Sequence, residues 1–172
     1  MDVPSLAQML INIQQTIPAL MSMVTGAAYV MGFFFIFSAF YNMKQYGEMR
    51  LMSSANTDLR GPIGGLLLGA ALIYIPNVFS VALITFFGSD NPIAYEGNGS
   101  NWDLLAESLI DVIQFVGVIA IIKAIVLFRK ASSGGSAGQQ GLAGRGVTHF
   151  IGGVLAINII GTKNILFSTL GF

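Results

Sequence analysis

Cysteine is absent from this chain of 172 residues, and charge is scarce. Without cysteine, neither a disulfide nor a thiolate metal site can form. Eight basic and eight acidic residues make up 9% of the chain, where an ordinary globular domain carries about 25%. No charged residue lies between Asp2 and Lys44, or between Arg60 and Asp90. Too few charges are present to cover a soluble surface. The net charge is zero and no basic patch exists, so direct nucleic-acid binding is not expected. A chain that is 54% hydrophobic is not disordered either. These absences leave an all-α integral membrane protein. Its N-terminal Met1-Asp2-Val3-Pro4 lacks the basic start of a signal peptide, so no cleaved leader is expected.

A helix needs roughly 20 apolar residues to cross a bilayer. Four stretches qualify, at about residues 20–42, 63–87, 108–128 and 147–166. They predict four transmembrane helices in two tandem hairpins. Ahead of them, Leu6, Met9, Leu10, Ile13 and Ile17 recur at helical spacing among Gln8, Asn12, Gln14 and Gln15. This predicts an amphipathic N-terminal segment, residues 1–19, lying along the membrane surface and ending at Ile17-Pro18. The alternative is an extension of the first helix. The resulting plan is this segment, a first hairpin at 20–87, an acidic loop at 88–107 and a second hairpin at 108–172. The Gly/Ser-rich stretch 131–144 inside the second hairpin reads as a flexible linker.

The few charges set an orientation. Lys44, Arg50 and Arg60 fall in one loop, and Arg129, Lys130 and Arg145 in another. The loop between them carries Asp90, Glu96, Asp103 and Glu107 and no base. Basic loops stay inside, so loops 43–62 and 129–146 are expected in the cytoplasm. The acidic loop and both termini then lie on the far side.

The two halves resemble each other. Gly32 precedes Lys44 by the same interval that separates Gly117 from Arg129. The triplet Ile63-Gly64-Gly65 matches Ile151-Gly152-Gly153, and Phe79-Ser80 matches Phe167-Ser168. This predicts a parallel repeat of one hairpin.

Few residues suggest chemistry. His149 is the lone histidine and no metal-ligand cluster accompanies it. It reads as a hydrogen-bonding residue near a helix end. No cofactor and no catalytic group are expected. Glu107, Asp111 and Gln114 share one helix face, a polar stripe that could face a pore or a partner. The alternative places both acids in the headgroup region because the helix starts a turn later. Small residues supply packing faces: Gly61, Gly65 and Gly69 in the second span, Gly32 in the first, Gly117 in the third, Gly152 and Gly153 in the fourth. Tyr74-Ile75-Pro76-Asn77 should kink or break the second span.

Several segments, in order, carry a resemblance: Ile17-Pro18-Ala19-Leu20-Met21, Ala28-Tyr29-Val30-Met31-Gly32, Lys44-Gln45-Tyr46-Gly47-Glu48, Gly61-Pro62 and Tyr74-Ile75-Pro76. Gln114-Phe115-Val116-Gly117-Val118-Ile119-Ala120 follows, then the run from Gly144-Arg145-Gly146 through Thr148-His149-Phe150 to Gly152-Gly153, with Ile157-Asn158-Ile159. In these the chain resembles the small inner-membrane subunits of type IVB secretion systems, the IcmC/DotE and DotV group of the Dot/Icm apparatus. It is also similar to TraQ of IncI conjugation systems. The resemblance implies a non-enzymatic, multi-pass subunit of a bacterial inner membrane. Such a subunit would work among other membrane subunits of a machine that exports effector proteins or DNA. It supplies no catalytic residues. Two other roles fit the sequence: a pilin-like polymer subunit, and a small channel using Glu107, Asp111 and Gln114.

Overall fold

The computed structural model describes residues 5–51, 59–97, 100–133 and 140–171. Every regular element among them is helical: α1 (Leu6–Leu51), α2 (Arg60–Ile73), α3 (Ile75–Phe87), α4 (Asn101–Ser132), α5 (Gln140–Ile157) and α6 (Ile159–Leu170). Helices α1 and α4 are each long and apolar enough to cross a membrane. The pairs α2 with α3 and α5 with α6 qualify only as bent units, which gives two to four candidate spans.

With 46 residues, α1 is about 69 Å long, roughly twice a bilayer core of about 30 Å. No separate surface segment forms at its start. The helix runs from Leu6 straight through Pro18, so the alternative, an extension of the first helix, is what folds. Pro18 removes one backbone bond, at a cost of about 3 kcal/mol. The Leu, Met, Ala and Gln residues that dominate positions 6–21 favour helix on both sides of it.

The second and fourth apolar stretches do not run straight. The chain turns by 88° between α2 and α3 and by 94° between α5 and α6. The first break sits at Tyr74, where Pro76 then falls in the opening turn of α3 and its missing N–H leaves no gap. At the break the Tyr74 N–H donates to the Ala70 carbonyl (2.9 Å) and the Val78 N–H to the Tyr74 carbonyl (3.1 Å). At its other end α3 stops at Gly88, whose φ of 74° needs glycine.

Helix α4 starts at Asn101, seven residues before the expected Ser108, because a capping box nucleates it. The Asp103 N–H donates to Ser100 Oγ (3.2 Å), and the Ser100 N–H donates to Asp103 Oδ2 (3.0 Å). Asp103 also accepts from the Tyr95 hydroxyl (3.0 Å). This bond, with the nearby negative charge, raises the Tyr95 phenol above its ordinary pKa. Ser100→Ala should lower stability by about 1 kcal/mol, read as a lower melting temperature in detergent.

The glycine-rich linker is also shorter than its composition suggests. Residues 134–139 lie outside the described residues, but Gln140–Gly144 already form the first turns of α5. Tertiary contacts outweigh the poor helix propensity of its glycines. Leu142 lines a cavity together with Phe34, Phe35 and Arg129, and buried Gly146 lies against the Phe128 ring.

The closest pairings are α1 with α2 and α4 with α5, the two hairpins. Helix α4 also packs on both α1 and α2. The shared core is centred on Leu72, Ile75, Ile121 and Val154, all fully buried.

Candidate functional site

Two backbone crossings organise the molecule. In the first hairpin a Cβ placed on Gly32 would stand 2.8 Å from the Gly69 carbonyl oxygen and 3.0 Å from the Ile73 nitrogen. A Cβ on Gly69 would stand 2.9 Å from the Gly32 oxygen and 3.2 Å from the Ile36 nitrogen. The second hairpin repeats this. A Cβ on Gly117 would stand 2.8 Å from the Gly153 oxygen and 2.9 Å from the Ile157 nitrogen. A Cβ on Gly153 would stand 2.8 Å from the Gly117 oxygen and 3.1 Å from the Ile121 nitrogen. Real Cβ atoms do not sit this close to backbone, so each crossing requires glycine on both helices.

The breaks repeat as well. Asn158 occupies the place of Tyr74. Its N–H donates to the Val154 carbonyl (3.3 Å), and the Thr162 N–H donates to the Asn158 carbonyl (2.9 Å). The parallel repeat is therefore real in three dimensions, but its register differs from the sequence match. Structure pairs Gly69 with Gly153 and Tyr74 with Asn158, whereas the Ile-Gly-Gly triplets pair Gly65 with Gly153. The slip is one helical turn. Glycine recurs every fourth residue at 61, 65 and 69, so sequence alone cannot distinguish neighbouring turns. Backbone contact can.

The other small residues separate into distinct roles. A Cβ on Gly65 would stand 3.0 Å from the Ala39 Cβ and 3.1 Å from the Arg129 Nε, and one on Gly61 would stand 3.5 Å from the Ser133 Cα. Both belong to the contact between hairpins. There the Ser132 hydroxyl donates to the Arg60 carbonyl (2.9 Å), and Ser132 crowds Gly64. Gly152 does not share the packing role expected for it. It is exposed with open space around it, because one residue step turns it about 100° from Gly153.

Asn158 is the residue that sequence reading overlooked as a structural device. Its side chain is fully buried. Oδ1 accepts from the Gly161 N–H (3.1 Å), capping α6, and from the Ile93 N–H (3.1 Å), tying the acidic loop to the break. Its Nδ2 is buried and finds no hydrogen-bond partner among the described residues. The available signal was an asparagine followed three residues later by glycine inside an apolar run.

Among the described residues Arg129 is the buried charge: it is 9% exposed, its guanidinium lies 5.8 Å from the Phe35 ring centre, and its Nε finds no hydrogen-bond partner there. It borders a cavity of about 330 Å³ with Phe34, Phe35, Ser38, Lys130, Ser133 and Leu142. Lys44 lies on α1, 3.8 Å from Glu48, with both side chains mostly exposed. Arg50 falls in the last turn of α1, so the loop expected from 43 starts only after Leu51; residues 52–58 lie outside the described residues. Arg60, Lys130 and Arg145 are exposed. His149 Nδ1 lies 2.8 Å from the Arg145 carbonyl oxygen, a bond that places the proton on Nδ1.

Glu107, Asp111 and Gln114 do share α4, with Glu107 exposed and the other two half-buried. The helix does not begin a turn later, as one reading of these acids supposed. It begins at Asn101, about 15 Å before Asp111. At 32 residues, or about 48 Å, α4 exceeds the bilayer core and leaves room for both acids beyond it. Among the described residues, no group of histidine, aspartate or glutamate is arranged to hold a metal ion.

The chain matches no protein-family model, and neither a curated protein nor a solved structure shows significant similarity to it.

Proposed function

We propose that the chain is a non-enzymatic, multi-pass subunit of a bacterial inner membrane, acting in a type IVB secretion or conjugation apparatus alongside other membrane subunits. One observation carries the membrane part. Met23, Val30, Phe34, Phe37 and Tyr41 form a single stripe along α1, and each is more than 60% exposed. An apolar surface of that length suits lipid or other membrane helices, not water. The secretion part rests on the sequence segments quoted above, of which the run around Gly144–Gly153 is the most specific. That run forms α5, which carries one glycine of the second crossing.

On this reading the protein works through helix surfaces. Cargo, whether protein or DNA, would meet the assembly and not a catalytic group on this chain. The ends of α1 and α4, with the starts of α2 and α5, face the cytoplasm. The acidic loop faces the periplasm. Alkaline phosphatase fused after Tyr95 should be active, and after Ser54 or Gly135 inactive. The reverse pattern would overturn the orientation. For the function itself, the tagged protein would be purified gently in detergent from its host. Co-purification of other envelope subunits of an export apparatus is the expected result. Recovery of this chain in surface filaments would instead establish the pilin-like role.

A further inference from the structure

The two hairpins repeat each other, yet they do not pack on each other symmetrically. Helix α4 contacts both α1 and α2, while α5 makes no comparable contact with α1. The interface is therefore heterologous: one face of the first hairpin meets a different face of the second. A heterologous contact between equivalent units leaves each matching surface open at the far ends.

Both open surfaces can be named. On α4, Val118, Ile122, Ile125 and Arg129 form one stripe, and none is more than 9% exposed. Arg129 in that stripe touches the first hairpin at Gly65 and Phe35. The register set by Gly32 and Gly117 places Phe33, Phe37, Phe40 and Lys44 at the corresponding positions of α1. The three phenylalanines are 55–71% exposed, and the Lys44 side chain is 72% exposed. Conversely, Phe35 of α1 meets α4 at Arg129, and Val24, Met31 and Phe35, which share a face of α1, all pack on the core. Its α4 counterparts are Leu109, Val116 and Ala120, of which Leu109 and Val116 are more than half exposed. On α2 the receiving residues are Gly61, Gly64 and Gly65. Their α5 counterparts, by the register of Gly69 and Gly153, are Arg145, Thr148 and His149.

We infer that a second copy of this chain docks head to tail, with the α1 stripe of one copy seated on the α4–α5 face of the next. The contact would follow the register of the one already made inside each chain, with Gly47 of α1 leaving room for Thr148 where Gly64 leaves room for Ser132, and could propagate to a ring or a row of copies. Charge agrees with this register. Glu48 stands where Ser133 stands in the second hairpin, and Ser133 approaches Gly61, the counterpart of Arg145. Glu48 thus meets Arg145 across the junction. It offsets part of the positive charge that Lys44 and Arg145 bring to the same junction. The inference stands on the repeat and is independent of the secretion-apparatus reading.

The absence of cysteine makes the test clean. Within the chain, Ser132 Cβ lies 2.7 Å from a Cβ position on Gly64, nearer than the roughly 3.5–4.5 Å of a disulfide, so cysteines at the matching positions need only a small outward shift to bridge. The matching intermolecular pair is Gly47 and Thr148, both exposed. The double variant Gly47→Cys with Thr148→Cys, oxidised in native membranes, should give a ladder of dimers, trimers and larger species that collapses on reduction. Each single variant should stay monomeric, and the two singles mixed in one membrane should give dimers only. Adding Glu48→Lys should weaken the ladder several-fold. A double variant that remains monomeric while eluting as a single folded species in detergent would overturn the proposal. Efficient dimers from either single variant would overturn it too, by showing a symmetric contact instead.

Discussion

Valine at Gly117 or Gly153 should unfold the second hairpin or push its helices apart, whereas alanine at Gly152, one residue away from Gly153, should be neutral or stabilising. The reason is local. At Gly117 and Gly153 even a Cβ would stand 2.8 Å from backbone oxygen of the facing helix, and backbone cannot rotate aside as a side chain can. Overpacking of this kind costs about 1–3 kcal/mol for one extra group, and the two methyls of valine add to it. At Gly152 nothing lies within 4 Å, so replacing glycine within a helix should gain up to about 1 kcal/mol of propensity. Gly32→Val and Gly69→Val should behave like their partners in the second hairpin. Thermal unfolding in detergent, followed as loss of the monodisperse chromatographic peak, would read all of these. Equal melting temperatures for Gly152→Ala and Gly153→Val would refute the crossing geometry.

Asn158→Leu should lower stability by about 2–4 kcal/mol, with about 1–3 kcal/mol for each donor deprived of its acceptor. Its Oδ1 serves two backbone donors at once, Gly161 N–H and Ile93 N–H. Leucine leaves the first turn of α6 uncapped and releases the acidic loop from the break. The loop gives a distinct readout: amide hydrogen exchange across residues 89–97 should rise in the variant even below its melting temperature. Replacing Tyr74, the matching residue of the first break, should have a smaller effect, because its side chain is exposed and only its backbone closes the turn. Unchanged exchange in the loop would show that the Ile93 bond does not hold it.

Much of this was legible in the residues because it depends on local order along the chain. Proline in Tyr74-Ile75-Pro76 announced the first break, since a missing N–H and a fixed ring act wherever they occur. The break at Asn158 was not announced, because asparagine interrupts a helix only when its side chain finds donors, and one of those donors is Ile93, distant in sequence. The extra turns at the starts of α4 and α5 escaped for different reasons. The first depends on a local capping box that composition hid behind acidic residues. The second lies where other helices approach, with Phe34 and Phe35 across a cavity from Leu142 and Phe128 against Gly146 just beyond. Among the glycines, spacing showed that faces existed but not which glycine touched what. Gly152 and Gly153 look alike in the sequence and differ completely in their surroundings.

By itself, then, the sequence determined an apolar, helical chain with two basic turns, an acidic segment between them and a repeated plan. Those properties follow from residue type and order: too little charge for a soluble surface, and apolar runs that must satisfy their own backbone. The tertiary structure decided the register of the repeat, the right-angle breaks and the uneven contact that leaves one phenylalanine stripe of α1 uncovered. A helix brings similar residues around every turn, so a one-turn slip hardly changes the sequence pattern. It changes completely which backbone atoms meet, and close packing tolerates only one of those arrangements.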